Sequence, residues 1–152
     1  MFITKRRKVI SMLVSEPKAL ADKWFKDIFT KGKLEILDNL VAPDFIAHGQ
    51  GNQIDSFGIE DFKAWLRWYR DTFTDPVWQI DDAIATQDKV VLRYSGWTTY
   101  RGGLLDIPPH NQRVLETGII IFRIQDGKIK ELWCEMSDLQ VLQQLGAFPL
   151  LR

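Results

Sequence analysis

The chain has 152 residues, a length that fits one domain, and 45% of its residues are hydrophobic. Twenty Lys and Arg balance twenty Asp and Glu, so nucleic acid, which binds surfaces with excess positive charge, is not an expected partner. The single cysteine, Cys134, excludes an intrachain disulfide, and with only His48 and His110 as imidazoles we predict no metal site.

The chain begins with a basic run at residues 5–8, followed by a mostly apolar run at residues 9–14. That apolar run is shorter than the roughly 7 to 15 residues of a signal-peptide core. No stretch approaches the ~18 apolar residues of a membrane span. We therefore predict a basic N-terminal leader over residues 1–14, a single domain over residues 15–152, and a cytoplasmic protein with no membrane contact.

Two helices are predicted next. Ser15 as the cap and Pro17 in the first turn begin the first helix, whose apolar residues recur at helical spacing until Gly32. A shorter helical pattern starts at Leu34. Pro43 stops it, because the residue before a proline is pushed out of the helical region.

A polar loop and a third helix complete the first half of the chain. Residues 44–57, which include His48 and Gly51, are predicted to form the loop. The third helix is predicted from one apolar stripe with Trp65 beside it, ending before Pro76. The stripe consists of Ile59, Phe62, Leu66, Tyr69 and Phe73.

From Val77 the hydrophobic period changes to two, which predicts strands. Gln87-Asp88 is predicted to turn the first of them into a strand over residues 90–100, followed by a loop rich in glycine and proline. A strand over residues 113–125 and a return strand over residues 128–136 are joined by Asp126-Gly127, a strong hairpin signal.

A short C-terminal helix is predicted after the last strand. Ser137 with Gln140 three residues later is typical of a capping box, and Gly146 ends the helix. Three helices followed by consecutive antiparallel strands predict an α+β domain.

The turn at residues 126–127 sets an expected strand register, in which Gly118 faces Glu135 and Ile120 faces Trp133. One face of the hairpin then carries Glu116, Gly118, Glu131, Trp133 and Glu135. It is a candidate pocket wall, because Gly118 leaves room for a ligand. The alternative is a solvent-facing strand with a bulge at the glycine.

The other face of this hairpin is predicted to be apolar. It carries Ile119, Ile121, Leu132, Cys134 and Met136. Such a face is core or a subunit contact, and we predict that a second copy of the chain covers it in a two-fold dimer.

In the preceding hairpin, a turn at residues 87–88 places Asp82 opposite Arg93 and Trp78 opposite Trp97. Arg93 is then either an electrophilic group of a pocket or half of a cross-strand ion pair, and the ion pair is the favoured interpretation.

Several segments, in their order and spacing, resemble the SnoaL-like polyketide cyclases, also called ester cyclases. These segments are DKVVLRY (88–94), RGGLLDIPP (101–109), DGKI (126–129) and QQLG (143–146), with Pro43-Asp44-Phe45 and His48 upstream. The resemblance covers nearly all of residues 16–146. It implies the nuclear transport factor 2-like, or cystatin-like, fold: a curved antiparallel sheet wrapped around three helices into a cone with a hollow apolar interior.

The resemblance also implies an activity. Characterised members close a ring in a polyketide ester by an aldol step, without metal or cofactor, with an aspartate as the general acid and base. Asp138 matches that aspartate and His48 matches a histidine of the early loop. Tyr100 stands where relatives often carry histidine, which argues against a histidine-dependent relay. We therefore expect a cofactor-independent enzyme acting on a hydrophobic carbonyl compound, with candidate pocket walls at Trp65, Trp97 and Trp133.

Each of these interpretations has an alternative. An acid at Asp138 is favoured at a helix start by the helix dipole alone, which would lower its pKa, and His48 is equally consistent with a solvated loop residue. The chain could also be a non-catalytic binding or structural dimer, or a hydrolase that uses Asp82 with Arg93. The six Trp and nine Phe suit either a large flat ligand or ordinary packing.

Overall fold

A computed structural model describes residues 16–49 and 57–149. The basic leader expected at residues 1–14, the helix cap expected at Ser15, and Gly51 of the expected loop lie outside the described residues. Within the two described ranges, no helix is both long enough and apolar enough to cross a membrane.

The first helix has a buried face that repeats every four residues. Helix α1 (Pro17–Ala21) continues directly into a π-helical segment (Asp22–Thr30), which confirms the predicted helix. The buried residues of the two are Leu20, Ala21, Trp24, Phe25, Ile28 and Phe29. An α-helix turns by ~100° per residue, so a four-residue repeat drifts by roughly 40° each turn. The longer i→i+5 hydrogen bonds of the π-segment offset this drift and keep the aromatic side chains together.

A strand follows the second helix, where a polar loop was expected. A 3₁₀ turn (Leu34–Ile36) leads into helix α2 (Leu37–Leu40), and strand β1 (Val41–His48) begins at the next residue. The predicted loop over residues 44–57 is therefore wrong in its first part. Pro43 concealed the strand, since proline cannot donate a ladder hydrogen bond. It is tolerated because β1 is an edge strand whose register shifts at this point.

The remaining elements lie close to their predicted positions. Helix α3 (Ile59–Thr72) comes first. It is followed by β2 (Phe73–Ala85), β3 (Lys89–Tyr100), β4 (Arg113–Gln125), β5 (Lys128–Met136) and helix α4 (Asp138–Gln144). The strands form one curved sheet in the order β1-β5-β4-β3-β2. The predicted α+β class is confirmed, although β1 runs parallel to β5 where an antiparallel sheet was expected.

The register of β4 on β5 differs from the predicted one by one residue. Beside the turn, Gln125 pairs with Lys128 as predicted, but the register shifts between Arg123 and Ile124. Beyond the shift, Gly118 pairs with Met136 where Glu135 was predicted. Ile120 likewise pairs with Cys134 where Trp133 was predicted. Because side chains alternate along a strand, this slip moves the β5 side chains to the opposite face.

Both predicted faces of this hairpin are consequently wrong. The inner face of the sheet, which the helices cover, carries Glu116, Gly118, Ile120, Leu132, Cys134 and Met136. The outer face, away from the helices, carries Ile119, Ile121, Glu131, Trp133 and Glu135. Each observed face thus combines the β4 residues of one predicted face with the β5 residues of the other.

The hairpin of β2 and β3 also contains register shifts. Asp82 pairs with Arg93 as predicted, but the register shifts between Ile80 and Asp82. Trp78 therefore pairs with Gly96, not with Trp97. A Cβ atom at position 96 would lie 2.1 Å from the Trp78 ring, so the ring lies directly over this glycine on the inner face.

Aromatic side chains join the helices to the inner face. The ring of Trp24 packs edge-on against Phe122 of β4 with their centroids 4.9 Å apart, and Phe45 of β1 packs against Phe62 of α3 at 5.7 Å. Burial of such rings is the main stabilising contribution in a core of this kind. Much of the aromatic excess of the sequence is thus used in packing.

Candidate functional site

A cavity lies between the π-segment, helix α3 and the inner face of the sheet. It measures about 290 Å³ including its opening to solvent, and its free space is about that of one water molecule. The lining residues are Trp24, Phe25, Phe29, Trp65, Trp78, Tyr94, Glu116, Ile120, Leu132, Cys134 and Met136. Glu116 is the one carboxyl group among these lining residues. A buried acid in an aromatic cavity is typical of a binding or catalytic site.

Two tyrosine hydroxyls hold the Glu116 carboxyl group. The Tyr69 hydroxyl lies 2.8 Å from Oε2 and the Tyr94 hydroxyl lies 2.8 Å from Oε1. Glu116 itself is only 5% exposed. Tyr69 comes from α3 and Tyr94 from β3, so the acid of β4 is fixed from two directions.

Burial controls protonation in this cluster. Loss of water raises the pKa of Glu116, hydrogen bonds from Tyr69 and Tyr94 lower it, and the charge of Asp138 raises it. Together these effects give a pKa of about 7. Burial also raises the pKa of both tyrosines and of the Cys134 thiol. The thiol and both hydroxyls therefore stay protonated, and Glu116 is the member that exchanges protons near neutral pH.

Gly118 makes the position of Tyr94 possible. The two residues pair across β3 and β4, and a Cβ atom at position 118 would lie 2.5 Å from the Tyr94 hydroxyl oxygen. The sequence suggested that this glycine leaves room for a ligand. In the structure the space holds the tyrosine that donates to Glu116, so Gly118 positions the acid indirectly.

Asp138 is the first residue of α4 and lies beside this cluster. The predicted capping box is wrong: the Ser137 side chain makes no cap hydrogen bond, and its Oγ accepts the Thr117 backbone N–H at 2.9 Å. The helix start was expected to lower the pKa of Asp138. Burial, followed by repulsion from Glu135, raises it instead. The charge of Asp138 acts on Glu116, so the two acids are electrostatically coupled.

The predicted site residues divide between the two faces of the molecule. Trp65 and Glu116 line the cavity, with Gly118 and Asp138 next to it. The other five lie on the outer face of the sheet: His48, Arg93, Trp97, Trp133 and Glu135. The structure therefore separates these five from the cavity.

The outer-face residues make contacts of their own. His48 stacks on Trp133 with ring centroids 5.2 Å apart, and its Nε2 lies 3.5 Å from Glu131 Oε2. Arg93 forms an ion pair with Asp81 at 3.4 Å. The favoured ion-pair interpretation of Arg93 is thus confirmed, with Asp81 rather than Asp82 as the acid.

Tyr100, where the resemblance led us to expect a histidine, has a structural role. It is buried, its hydroxyl lies 2.9 Å from the Ile107 carbonyl oxygen, and it accepts the Leu104 backbone N–H at 3.2 Å. These bonds hold the loop between β3 and β4. Among the described residues, no three His, Cys, Asp or Glu side chains are grouped as metal ligands would be.

Four polar groups at the cavity were not predicted from the sequence. Tyr69 and Tyr94 hold Glu116, and Trp24 and Trp78 line the cavity with their indole N–H groups buried. Trp24 and Tyr69 were assigned to apolar helix faces, and Trp78 and Tyr94 to strands, because the ring of each fits a core. The pairing of Gly118 with Tyr94 would have indicated where the tyrosine lies. Finding it requires the register of β3 on β4, and these strands are not joined by a two-residue turn that would set it.

Comparison with known proteins identifies the family and the fold. The family model of the SnoaL-like polyketide cyclases matches residues 19–145. TsrD from Streptomyces laurentii is 30% identical, with a TM-score of 0.69 over 82% of this chain and 90% of its own. IdmH from Streptomyces antibioticus, a candidate polyketide cyclase, is 25% identical, with a TM-score of 0.74 over 86% of this chain and 99% of its own.

AclR from Streptomyces galilaeus, a candidate hydroxylase, shares the fold with a TM-score of 0.73 at 20% identity, over 96% of this chain and 84% of its own. No curated protein matches the sequence. The nuclear transport factor 2-like fold implied by the sequence is confirmed. The family match spans well over half of the chain, and the chain belongs to the SnoaL-like polyketide cyclase family.

Proposed function

We propose that the protein is a cofactor-independent enzyme that moves protons on a hydrophobic carbonyl compound, with Glu116 and Asp138 as its acid–base groups. One observation carries the proposal: the Glu116 carboxyl group is buried in an aromatic cavity and held there by two hydroxyls. The candidate cyclase assignment of IdmH supports a polyketide-like carbonyl compound as the substrate class.

The proposed chemistry needs a group that both takes and returns a proton. Removal of a proton from the carbon beside a carbonyl gives an enolate, which attacks a second carbonyl; the alkoxide that forms then takes up a proton. Glu116, with its pKa raised to about 7 by burial, is present in both protonation states near neutral pH. Such a pKa suits general acid–base catalysis.

Asp138 supports the proposal as a second acid–base group. Its pKa is raised by burial and by Glu135, and its charge raises the pKa of Glu116. With two carboxyl groups whose pKa values are raised, one can hold a proton while the other is ionised. This division of states is what a proton removal followed by a proton return requires.

Binding of a ring-sized compound must move some of the cavity lining, because the free space is about one water molecule. The side chains that line the cavity and reach solvent are Trp65, Trp78 and Met136. The ligand is therefore expected to enter between α3 and the end of the sheet where these side chains lie.

The test measures deuterium exchange at the carbon next to the carbonyl of 1-indanone in D₂O, followed by proton NMR. We expect the wild-type chain to accelerate exchange, and Glu116→Gln to slow it by about 10² to 10⁴-fold. Asp138→Asn should slow exchange as well. The matched control is Glu35→Gln, which changes an exposed acid on the 3₁₀ turn and should leave the rate unchanged.

The alternative, a binding or structural protein without chemistry, has a distinct outcome. Quenching of tryptophan fluorescence by 1-indanone and by related aromatic ketones would show that the cavity is occupied. If these compounds bind and none undergoes Glu116-dependent exchange, the enzyme proposal is wrong and the binding protein replaces it.

A further inference from the structure

Two buried indole N–H groups beside the cavity lack an acceptor among residues 16–49 and 57–149. They belong to Trp24, which is 1% exposed, and to Trp78, which is half-buried with its Nε1 atom inaccessible. Buried donors in folded proteins nearly always have a partner, because an unpaired one has lost its hydrogen bond to water. Two unpaired donors on one cavity therefore indicate an acceptor supplied by a ligand.

Both indoles contact the ring of Phe29. Phe29 is 5.9 Å from Trp24 and 5.9 Å from Trp78, measured between ring centroids. Trp78 also lies 5.7 Å from Tyr94, whose hydroxyl is 2.8 Å from Glu116. Trp24, Trp78 and Glu116 thus line one cavity, and Tyr94 links Trp78 to the acid.

The rings alone do not account for these residues. Both tryptophans pack against phenylalanines, and those contacts need only an aromatic face. The N–H group adds a donor of fixed direction that cannot accept and is not expected to ionise. Donors of this kind discriminate strongly in favour of ligands that offer an oxygen at the right place, since a ligand without it leaves them unpaired.

We propose that Trp24 and Trp78 donate their indole N–H groups to oxygen atoms of the ligand and so position it against Glu116. The ligand class is then an apolar ring compound with carbonyl or ether oxygens, and a hydrocarbon of the same shape binds poorly. The carbonyl identity of the oxygen rests on the proposed function; the role of the two donors does not.

The experiment compares 1-indanone with indane, which has the same two rings without the oxygen. Protein labelled with ¹⁵N-tryptophan is titrated with each compound, and the indole N–H signals are assigned with Trp24→Phe and Trp78→Phe. We expect 1-indanone to move the Trp24 and Trp78 signals downfield and indane to leave them near their unliganded positions. The titration itself uses the wild-type chain, and the two variants serve only to assign its signals.

A second measurement removes only the donors. Replacing Trp78, and separately Trp24, with benzothienylalanine exchanges the N–H for sulfur and keeps the ring shape. We expect either change to reduce the ratio of 1-indanone to indane affinity about tenfold, the effect of one lost hydrogen bond. Trp68→Phe is the control, because Trp68 is 40% exposed and is not among the lining residues. The ratio of 1-indanone to indane affinity in this variant should match that of the wild type.

Equal responses of the indole signals to both compounds, or an unchanged affinity ratio in both benzothienyl variants, would overturn the proposal. So would contacts from water to both indole N–H groups that persist with 1-indanone bound, because a buried water would then be the acceptor. The outcomes separate from those of the proposed function. If the wild-type chain exchanges deuterium but binds 1-indanone and indane equally, only this proposal fails. If it prefers 1-indanone to indane but exchanges no deuterium, only the catalytic proposal fails.

Discussion

Glu116 and Glu131 lie on neighbouring strands and differ in chemistry because they face opposite sides of one sheet. Glu116 points inward, where burial raises its pKa to about 7 and its partners are neutral hydroxyls. Glu131 points outward, where the hydrogen bond from Arg123 lowers its pKa. The inner acid is equipped to exchange protons at neutral pH, and the outer one stays ionised as half of an ion pair.

The difference between these acids follows from the pleat of the sheet. Alternate residues face opposite sides, so a one-residue shift in register decides which acid is desolvated. The shift between Arg123 and Ile124 therefore places Glu116 on the same face as Leu132 and Cys134. Substitutions on the two sides of the sheet test this contrast between the faces.

The largest effect is expected from placing a charge on adjacent residues of β4. Ile120 is 3% exposed on the inner face, and Ile120→Glu should destabilise the chain by about 4 kcal/mol or more, since it buries an unpaired charge. Ile121 is half-buried on the outer face, and Ile121→Glu should leave the fold intact. Urea unfolding compares the two. Similar losses of stability would mean that the two faces do not differ as described.

Ile121→Glu also tests the predicted dimer, which we now propose to form through the outer face. This face exposes Trp97 by 46% and Ile119 by 45%, two large apolar side chains that a partner chain would cover. We expect light scattering to give twice the chain mass for the wild type and the single chain mass for Ile121→Glu. A wild-type monomer at micromolar concentration would contradict the dimer.

The next largest effect is a dependence of stability on pH that comes from Glu116. Its pKa of about 7 in the folded chain lies above the ordinary glutamate value of 4.5, so the folded state binds the extra proton between these pH values. The stabilisation is fully present below pH ~4.5 and is lost as the pH rises through ~7, a change of about 3 kcal/mol in the free energy of unfolding.

Urea unfolding between pH 5 and pH 8 measures this change, and Glu116→Gln should flatten the profile. Asp138→Asn should shift the midpoint of the stability change to lower pH, because the charge of Asp138 raises the pKa of Glu116. Tyr69, Tyr94 and Cys134 also face Glu116 but stay protonated in this range. A wild-type profile no steeper than that of Glu116→Gln would show that Glu116 is ionised throughout.

A smaller effect is expected from adding one methyl group beneath Tyr94. Gly118→Ala places Cβ 2.5 Å from the Tyr94 hydroxyl oxygen, so the ring must move. We expect a loss of about 1 to 3 kcal/mol and slower proton exchange, because the hydrogen bond to Glu116 is disturbed. Gly58→Ala is the control: nothing lies within 4 Å of its Cβ position, and as a helix cap it should cost below about 1 kcal/mol. Equal losses of stability in the two variants would mean that Gly118 does not position Tyr94.

The elements of this fold were largely predictable, because their signals are local. The stripe on α3, the period of two in the strands and the turn at Asp126-Gly127 each act within a few residues of sequence. The turn even fixed the first pairs of β4 and β5 correctly. Strand β1 was missed for two reasons. Pro43 lies within it and locally indicates a break in regular structure. Its partner strand is distant in the sequence, since Val41 pairs with Ile129, 88 residues later.

The site was predictable only in part. Glu116 and Trp65 were named and do line the cavity, since an acid among apolar residues is visible in sequence. The hydroxyls of Tyr69 and Tyr94 were not, because their contact with Glu116 depends on the register of β3 on β4 and on the packing of α3. A two-residue turn carries register only until the first bulge, and the β2–β3 and β4–β5 hairpins each contain a register shift.

The smallest effect is expected from a substitution at Arg93. It tests whether the chemistry is confined to the inner face of the sheet. The Arg93 side chain is 54% exposed and its ion pair with Asp81 spans 3.4 Å, so Arg93→Ala should cost less than about 1 kcal/mol, with the difference shrinking further in high salt. Deuterium exchange of 1-indanone should proceed at the wild-type rate, because Arg93 lies on the outer face while Glu116 lies on the inner one. A hydrolase built on Asp82 and Arg93 would instead lose its activity in this variant. A slowed exchange rate with unchanged unfolding would show that an outer-face cation takes part in the chemistry, and the assignment of all proton transfer to the cavity would then be wrong.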